Sequence, residues 1–282
     1  MSNARWSPVL PLSLALVLSA CLAGSGSDAV GADPEVAAAP VRMLPLRDGA
    51  VDAVRVAPVD EAVLGASLTG ASGPVIAHVV VHPVYWNSTT QFQSNLNAFY
   101  QAIPNSTYFD LLAQYGVGRG TGVNGVVDNR TTVSVTDAAI HSELNRMFSA
   151  GILPLPNASN YYPVHFPPGV TITAPDGSRS CVQFCAYHSS YVVNGVNVFY
   201  GVIPDQGGGC AGGCGANAQR VNNLDAVSSA ELVDTVTDPL HTSATEITDL
   251  CGGAQVSVVG GDSATYVVAK FFSNAAGRCV PP

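Results

Sequence analysis

Six of the seven cysteines stand at positions 181, 185, 210, 214, 251 and 279, and the seventh stands apart at position 21. An even set gathered in the C-terminal part constrains the fold strongly, because every cross-link fixes two segments side by side. Cross-links require an oxidising compartment, and the N-terminus points to one. Arg5 precedes an apolar run from Val9 to Ala20 that contains Pro11. This reads as a secretion signal, since a permanent transmembrane helix needs ~20 apolar residues. The two Cys-x-x-x-Cys spacings, Cys181 with Cys185 and Cys210 with Cys214, also suit a structural zinc site, but export favours disulfides. The expected pairing is Cys181 with Cys185, Cys210 with Cys214 and Cys251 with Cys279. The last closes the longest loop and restrains the unfolded chain by ~3–4 kcal/mol in the chain-entropy model.

Leu18-Ser19-Ala20-Cys21 resembles the lipobox of bacterial lipoproteins, with small residues ahead of the cut and a cysteine whose thiol takes diacylglycerol. The resemblance implies that residues 1–20 are a removable signal and that Cys21 is lipidated. The protein would then be anchored in a bacterial cell envelope, facing outside the cytoplasm, with the lipid as its sole membrane contact. Eleven Lys+Arg against twenty Asp+Glu give a net charge of −9, and Lys270 is the sole lysine; nucleic acid is therefore not an expected partner. Residues 21–72 carry the lipidated cysteine and an Ala, Gly, Asp, Val and Pro composition that suits a flexible linker.

The folded domain is expected over residues 73–282. Pro74 to Trp86 is β-branched and aromatic, a buried-strand signal. Asn87 to Thr90 offers caps for a helix bearing Phe92, Leu96, Phe99 and Tyr100. A short helix is expected over Thr107 to Tyr115, and another from Thr136-Asp137 to a stop at Gly151. Strands follow at Tyr162 to Phe166 and Val170 to Thr173, then a hairpin at Tyr191 to Tyr200 turning on Asn194-Gly195, and a last hairpin pairing Gln255 to Val259 with Ala264 to Phe272. The layout is mixed α/β (α+β), a single domain with a central sheet and flanking helices.

Acidic residues gather at helical spacing in Ser228 to Pro239, where Ala230 and Asp234 share a face with Glu231 beside them, and again in Glu246-Ile247-Thr248-Asp249-Leu250-Cys251. Here the chain resembles the phosphate-induced protein family, which includes the EXORDIUM proteins of plants and exported bacterial homologues. Their helix reads His-Glu-x-x-Glu, then Asn-Pro or Asp-Pro, then Glu-Ile-x-Asp-x-Cys. Further matching pieces are Val84-Tyr85-Trp86, Leu96 to Tyr100, Asn105 to Asp110, His165 to Val170, Cys181 to His188 and Cys210 to Cys214, so the resemblance spans residues 73 to 252.

The resemblance implies a zincin-like architecture, in which a helix presents metal ligands at i and i+4 and the adjacent Glu activates water. Carried over by position, Ala230 takes the histidine place, Glu231 the general base, Asp234 the i+4 ligand and Glu246 a third ligand. Alanine has no lone pair to give a metal. His188 and His241 are the histidines to take the place it leaves. With Ala230 the expected function is binding or structural, at a degenerate site that requires no cofactor. The alternative is a zinc-dependent peptidase.

Other readings stand beside these. Glu231 and Asp234 suit a solvated helix face, Asp238 a turn or cap before Pro239, and Glu246 and Asp249 cap partners. His141 has no ligand four residues on and suits a polar helix face; His78 and His82 share a strand face and suit packing. The ligand would be a peptide or a cell-wall carbohydrate, with Tyr85, Trp86, Tyr161 and Tyr162 as stacking candidates; burial is their other reading. Gly-x-Ser-x-Gly is absent, which disfavours a serine hydrolase.

Overall fold

The apolar run after Gly73 does not make one continuous strand. In the computed structural model, which describes residues 42–45, 73–243 and 245–281, an edge strand β1 (Arg42–Pro45) is followed by β2 (Val80–Val81) and β3 (Val84–Tyr85). Pro83 separates the last two, because its ring nitrogen carries no hydrogen for a ladder. The expected signal, Cys21 and the rest of the expected linker lie outside the described residues. Within that linker, residues 42–45 form a strand instead of a tether.

Helix α1 (Gln93–Ala102) starts from Phe92 at φ 59 with no side-chain cap, so Asn87 to Thr90 do not cap it. Asn87 Oδ1 accepts instead from the Thr89 amide and hydroxyl, closing a turn ahead of the helix. Helix α2 (Thr107–Asp110) continues as a 3-10 turn over Leu111–Tyr115. Strands β4 (Thr121–Gly122), β5 (Val126–Val127) and β6 (Ser134–Thr136) lead into α3 (Asp137–Ser149), whose cap is the Thr136 hydroxyl accepting from the Ala139 amide. Strands β7 (Asn160–His165) and β8 (Thr171–Thr173) precede a hairpin of β9 (Phe184–Val193) and β10 (Val196–Ile203). Asn194 at φ 51 and Gly195 at φ 79 make its turn, the left-handed pair that Asn-Gly favours. Helix α4 (Arg220–Thr237) follows, then the hairpin β11 (Gln255–Val259) with β12 (Thr265–Ala269), and β13 (Phe271–Ser273) with β14 (Arg278–Val280).

Eight strands form one mixed sheet in the order β1-β9-β10-β7-β2-β4, with β3 on β7 and β5 on β3. The β10–β7 pair and the pairs beyond it are parallel, while β9 is antiparallel to both β10 and β1. Neighbouring residues of β7 serve opposite faces: Tyr161 packs with Phe99, Leu232, Val233 and Phe271, whereas Tyr162 packs with Ile140, Met147 and Tyr200. Helix α3 covers the second face and α4 the first.

The position of α4 overturns its reading as a solvated face. Every residue from Asn223 to Thr237 is buried, because the sheet covers one side of the helix and β12 and α1 cover others. Its polar side chains are therefore held inside: Ser229 donates to Ala226 O and accepts from the Ala269 amide, and Asp225 accepts from Asn95.

Three disulfides form, and two differ from expectation: Cys181 pairs with Cys210 and Cys185 with Cys214, while Cys251 pairs with Cys279 as expected. The Cys181 amide donates to Phe184 O and closes a tight turn, which places Cys185 in the strand beyond it. Residues 208–214 fold back over that turn, so each cysteine of one pair meets one of the other.

Candidate metal centre

Strand β9 carries His188 onto the α4 side of the sheet, in register with Gly201 of β10 and Arg42 of β1. Helix α4 carries Glu231 to the same place, and Nδ1 of His188 lies 3.3 Å from Glu231 Oε2. Two further groups arrive from the loop after α4. Asp238 ends the helix and accepts from the Thr242 amide at 2.7 Å, the Thr242 hydroxyl at 2.8 Å and the Ser243 amide at 2.8 Å. That clamp bends the chain tightly, and His241 adopts φ 53, a conformation few residues other than glycine take. Its ring stacks on that of His188, with centroids 4.4 Å apart.

Glu246 is set by the residues that follow it. Ile247 O accepts from the Phe272 amide at 2.8 Å, and the Thr248 amide and hydroxyl both donate to Asp234. Glu246 Oε1 then lies 3.7 Å from His188 Nε2 and 3.5 Å from His241 Nδ1. One ligand atom from each of His188, His241 and Glu246 falls within 4.8 Å of the other two, and all three residues are buried. Two atoms bound to a tetrahedral zinc at ~2.1 Å lie about 3.4 Å apart, close to the 3.7 and 3.5 Å that separate Glu246 Oε1 from the two histidines.

The electrostatics agree with a cation site. Burial raises Glu231 well above the usual carboxylate range, and Glu246, Asp234 and Asp249 raise it further. Burial likewise raises Asp234, reinforced by Glu246 and Asp249 and opposed by the bonds from Thr248. Burial lowers His188 to about 4, against the pull of Glu246, so its imidazole is neutral near pH 7 and has a lone pair to donate. Two buried carboxyl groups, Glu231 and Glu246, lie beside the neutral His188 imidazole, a donor set whose burial cost a divalent ion would offset.

The positions expected from the sequence divide clearly. His188, His241, Glu246 and Glu231 come together. Asp234 does not join the ligand group, because Thr248 holds its carboxylate. Ala230 borders a cavity of about 190 Å³ with Leu44, Ala226, Thr248 and the Cys185–Cys214 bridge, and neither histidine lines it. Thr248 went unnoticed in the sequence, although it lies between Glu246 and Asp249.

His141 is no surface histidine. Its Nε2 lies 3.1 Å from Asp137 Oδ2 and 2.8 Å from the Tyr200 hydroxyl, and its ring stacks on Tyr191 at 3.9 Å. The useful spacing ran backwards, to the acid four residues before it. His82 packs on Tyr162 and bonds Asn160, and His78 lies beside Arg119 O. Tyr85, Trp86, Tyr161 and Tyr162 are each 3% exposed or less, which removes them as sugar-stacking residues.

Among the described residues no helix is long and apolar enough to cross a membrane. Comparison of the chain with protein-family models, curated proteins and solved structures returns no match.

Proposed function

We propose that this is an exported, lipid-anchored envelope protein that holds a divalent transition-metal ion, zinc by its donor set, between His188, His241 and Glu246. The convergence of three buried ligand atoms within 4.8 Å carries the reading. His188 and His241 supply what Ala230 cannot, so the site need not be degenerate. The 3.3 Å approach of Glu231 to His188 Nδ1 gives Glu231 the role of an orienting carboxylate, fixing the ring so that Nε2 faces the ion. Three disulfides accord with an oxidising compartment, and the sequence around Cys21 accords with a lipid anchor. The resemblance to the phosphate-induced protein family and its zincin-like architecture belongs to this same proposal.

The enclosure of all three ligands favours binding as the resting function. Metal-dependent peptide hydrolysis is the second reading, favoured by the donor set of two imidazoles and one carboxylate. Zinc held by these three residues would supply Lewis-acid activation of water or of a carbonyl.

The test is metal analysis of the purified chain with titration calorimetry. One zinc per chain is expected, lost on His188→Ala, His241→Ala or Glu246→Ala. Zinc that is absent from the native chain and not taken up on titration would sink the reading. Mass spectrometry and detergent partitioning of the native protein and Cys21→Ser test the anchor separately, and a native protein without lipid mass defeats it.

A further inference from the structure

We propose that the outer edge of β9 is a docking site for an extended polypeptide segment bearing an apolar side chain, and that residues 42–45 occupy it in cis. Strand β1 ends the sheet and reaches it through one antiparallel pairing, with Arg42 opposite His188, Met43 opposite Tyr187 and Leu44 opposite Ala186. The ladder shifts register between Leu44 and Pro45. In sequence, residues 46–72 separate this short strand from the start of the described domain.

Leu44 packs against the main core and borders the cavity formed with Ala226, Ala230 and the Cys185–Cys214 bridge. About 190 Å³ remains open around it, so the socket accepts an apolar side chain without being filled by this one. Main-chain bonding along a strand edge is indifferent to sequence, and the socket supplies the selection. Together these are the two parts of strand-addition recognition. The register places the incoming segment beside His188, at the rim of the proposed metal site. The inference goes beyond the metal reading and does not rest on it.

The test uses the lipid-free full chain (Cys21→Ser) and a fluorescein-labelled peptide of residues 39–48, read by fluorescence anisotropy. A tethered strand competes at an effective concentration on the order of millimolar, so the wild-type edge binds the probe weakly. Leu44→Ala should bind it about tenfold more tightly, and Leu44→Asp at least as tightly as Leu44→Ala. A probe carrying Leu44→Asp should bind none of the chains. Equal affinity for wild type and variants, equal binding of both probes, or no binding to a variant that retains three disulfides and the native circular dichroism would overturn the proposal. If Leu44→Asp does not fold, Leu44→Ala decides. Wild-type chain that dimerises through this edge without peptide would overturn the cis assignment. The same titration in EDTA should be unchanged, which separates this outcome from that of the zinc measurement.

Discussion

Nδ1 of His188 and Oε2 of Glu231 lie 3.3 Å apart, with both side chains almost fully enclosed. One nitrogen of the ring is thereby committed to the helix, and the other faces Glu246. In the metal site proposed above, Glu231 acts through the histidine.

Glu231→Gln should leave the zinc stoichiometry at one and weaken affinity about 10–100-fold, the usual cost of losing a carboxylate behind a ligating histidine. Ala230→His should leave affinity within about threefold, because position 230 borders the Leu44 cavity, which none of the three ligands lines. Competition with a chromogenic chelator measures both. A large gain from Ala230→His would mean that the ligands are wrongly assigned.

Asp225 predicts a pH dependence. Burial raises its carboxyl to about 8, and the hydrogen bond from Asn95 only partly offsets this. A folded-state pKa above the unfolded value costs stability progressively as pH rises from about 4 to 8. Asp225→Asn, which keeps an acceptor for Asn95, should therefore be stabilising by about 2–4 kcal/mol at pH 8 and neutral below pH 4. Urea unfolding across that range provides the comparison, and a gain independent of pH would contradict it.

Asp137 accepts from the Tyr187 and Tyr200 hydroxyls at 2.7 and 2.6 Å, beside His141. Asp137→Ala strands the buried Tyr187 phenol and leaves Tyr200 and His141 only each other; it should cost about 2–4 kcal/mol, with Tyr187→Phe costing about 1. Near-equal losses in denaturant unfolding would show that the carboxylate is not the hub.

Peptide mapping without reduction should recover Cys181 with Cys210, Cys185 with Cys214 and Cys251 with Cys279. Removing the last bridge by Cys251→Ser and Cys279→Ser should lower stability by about 3 kcal/mol in the chain-entropy model. Recovery of Cys181 with Cys185 would refute the two parallel bridges.

Elements written in local signals were legible in the sequence. Thr136 caps α3, Asn194-Gly195 turns the β9–β10 hairpin, and Gln255 to Val259 pairs with the strand expected for it. What escaped was decided by distant contacts. The acids of α4 carry no mark distinguishing a wet face from a buried one, and only its enclosure by the sheet and β12 settles the matter. His188 and His241 lie 53 residues apart, and the loop that brings them together depends on Asp238 gripping Thr242 and Ser243. The disulfide pairing failed for a related reason: a spacing of four invites a local bridge, but the strand begins between the two cysteines.

The paired bridges have one more consequence. Cys181–Cys210 and Cys185–Cys214 both span the hairpin whose tip is Asn194-Gly195, flanked by the exposed Val192 and Val196. A protease that nicks this tip releases no fragment, since both halves stay stitched at the base. His188 remains tethered to the helix that bears Glu231, and the break surfaces only when the sulfurs are reduced.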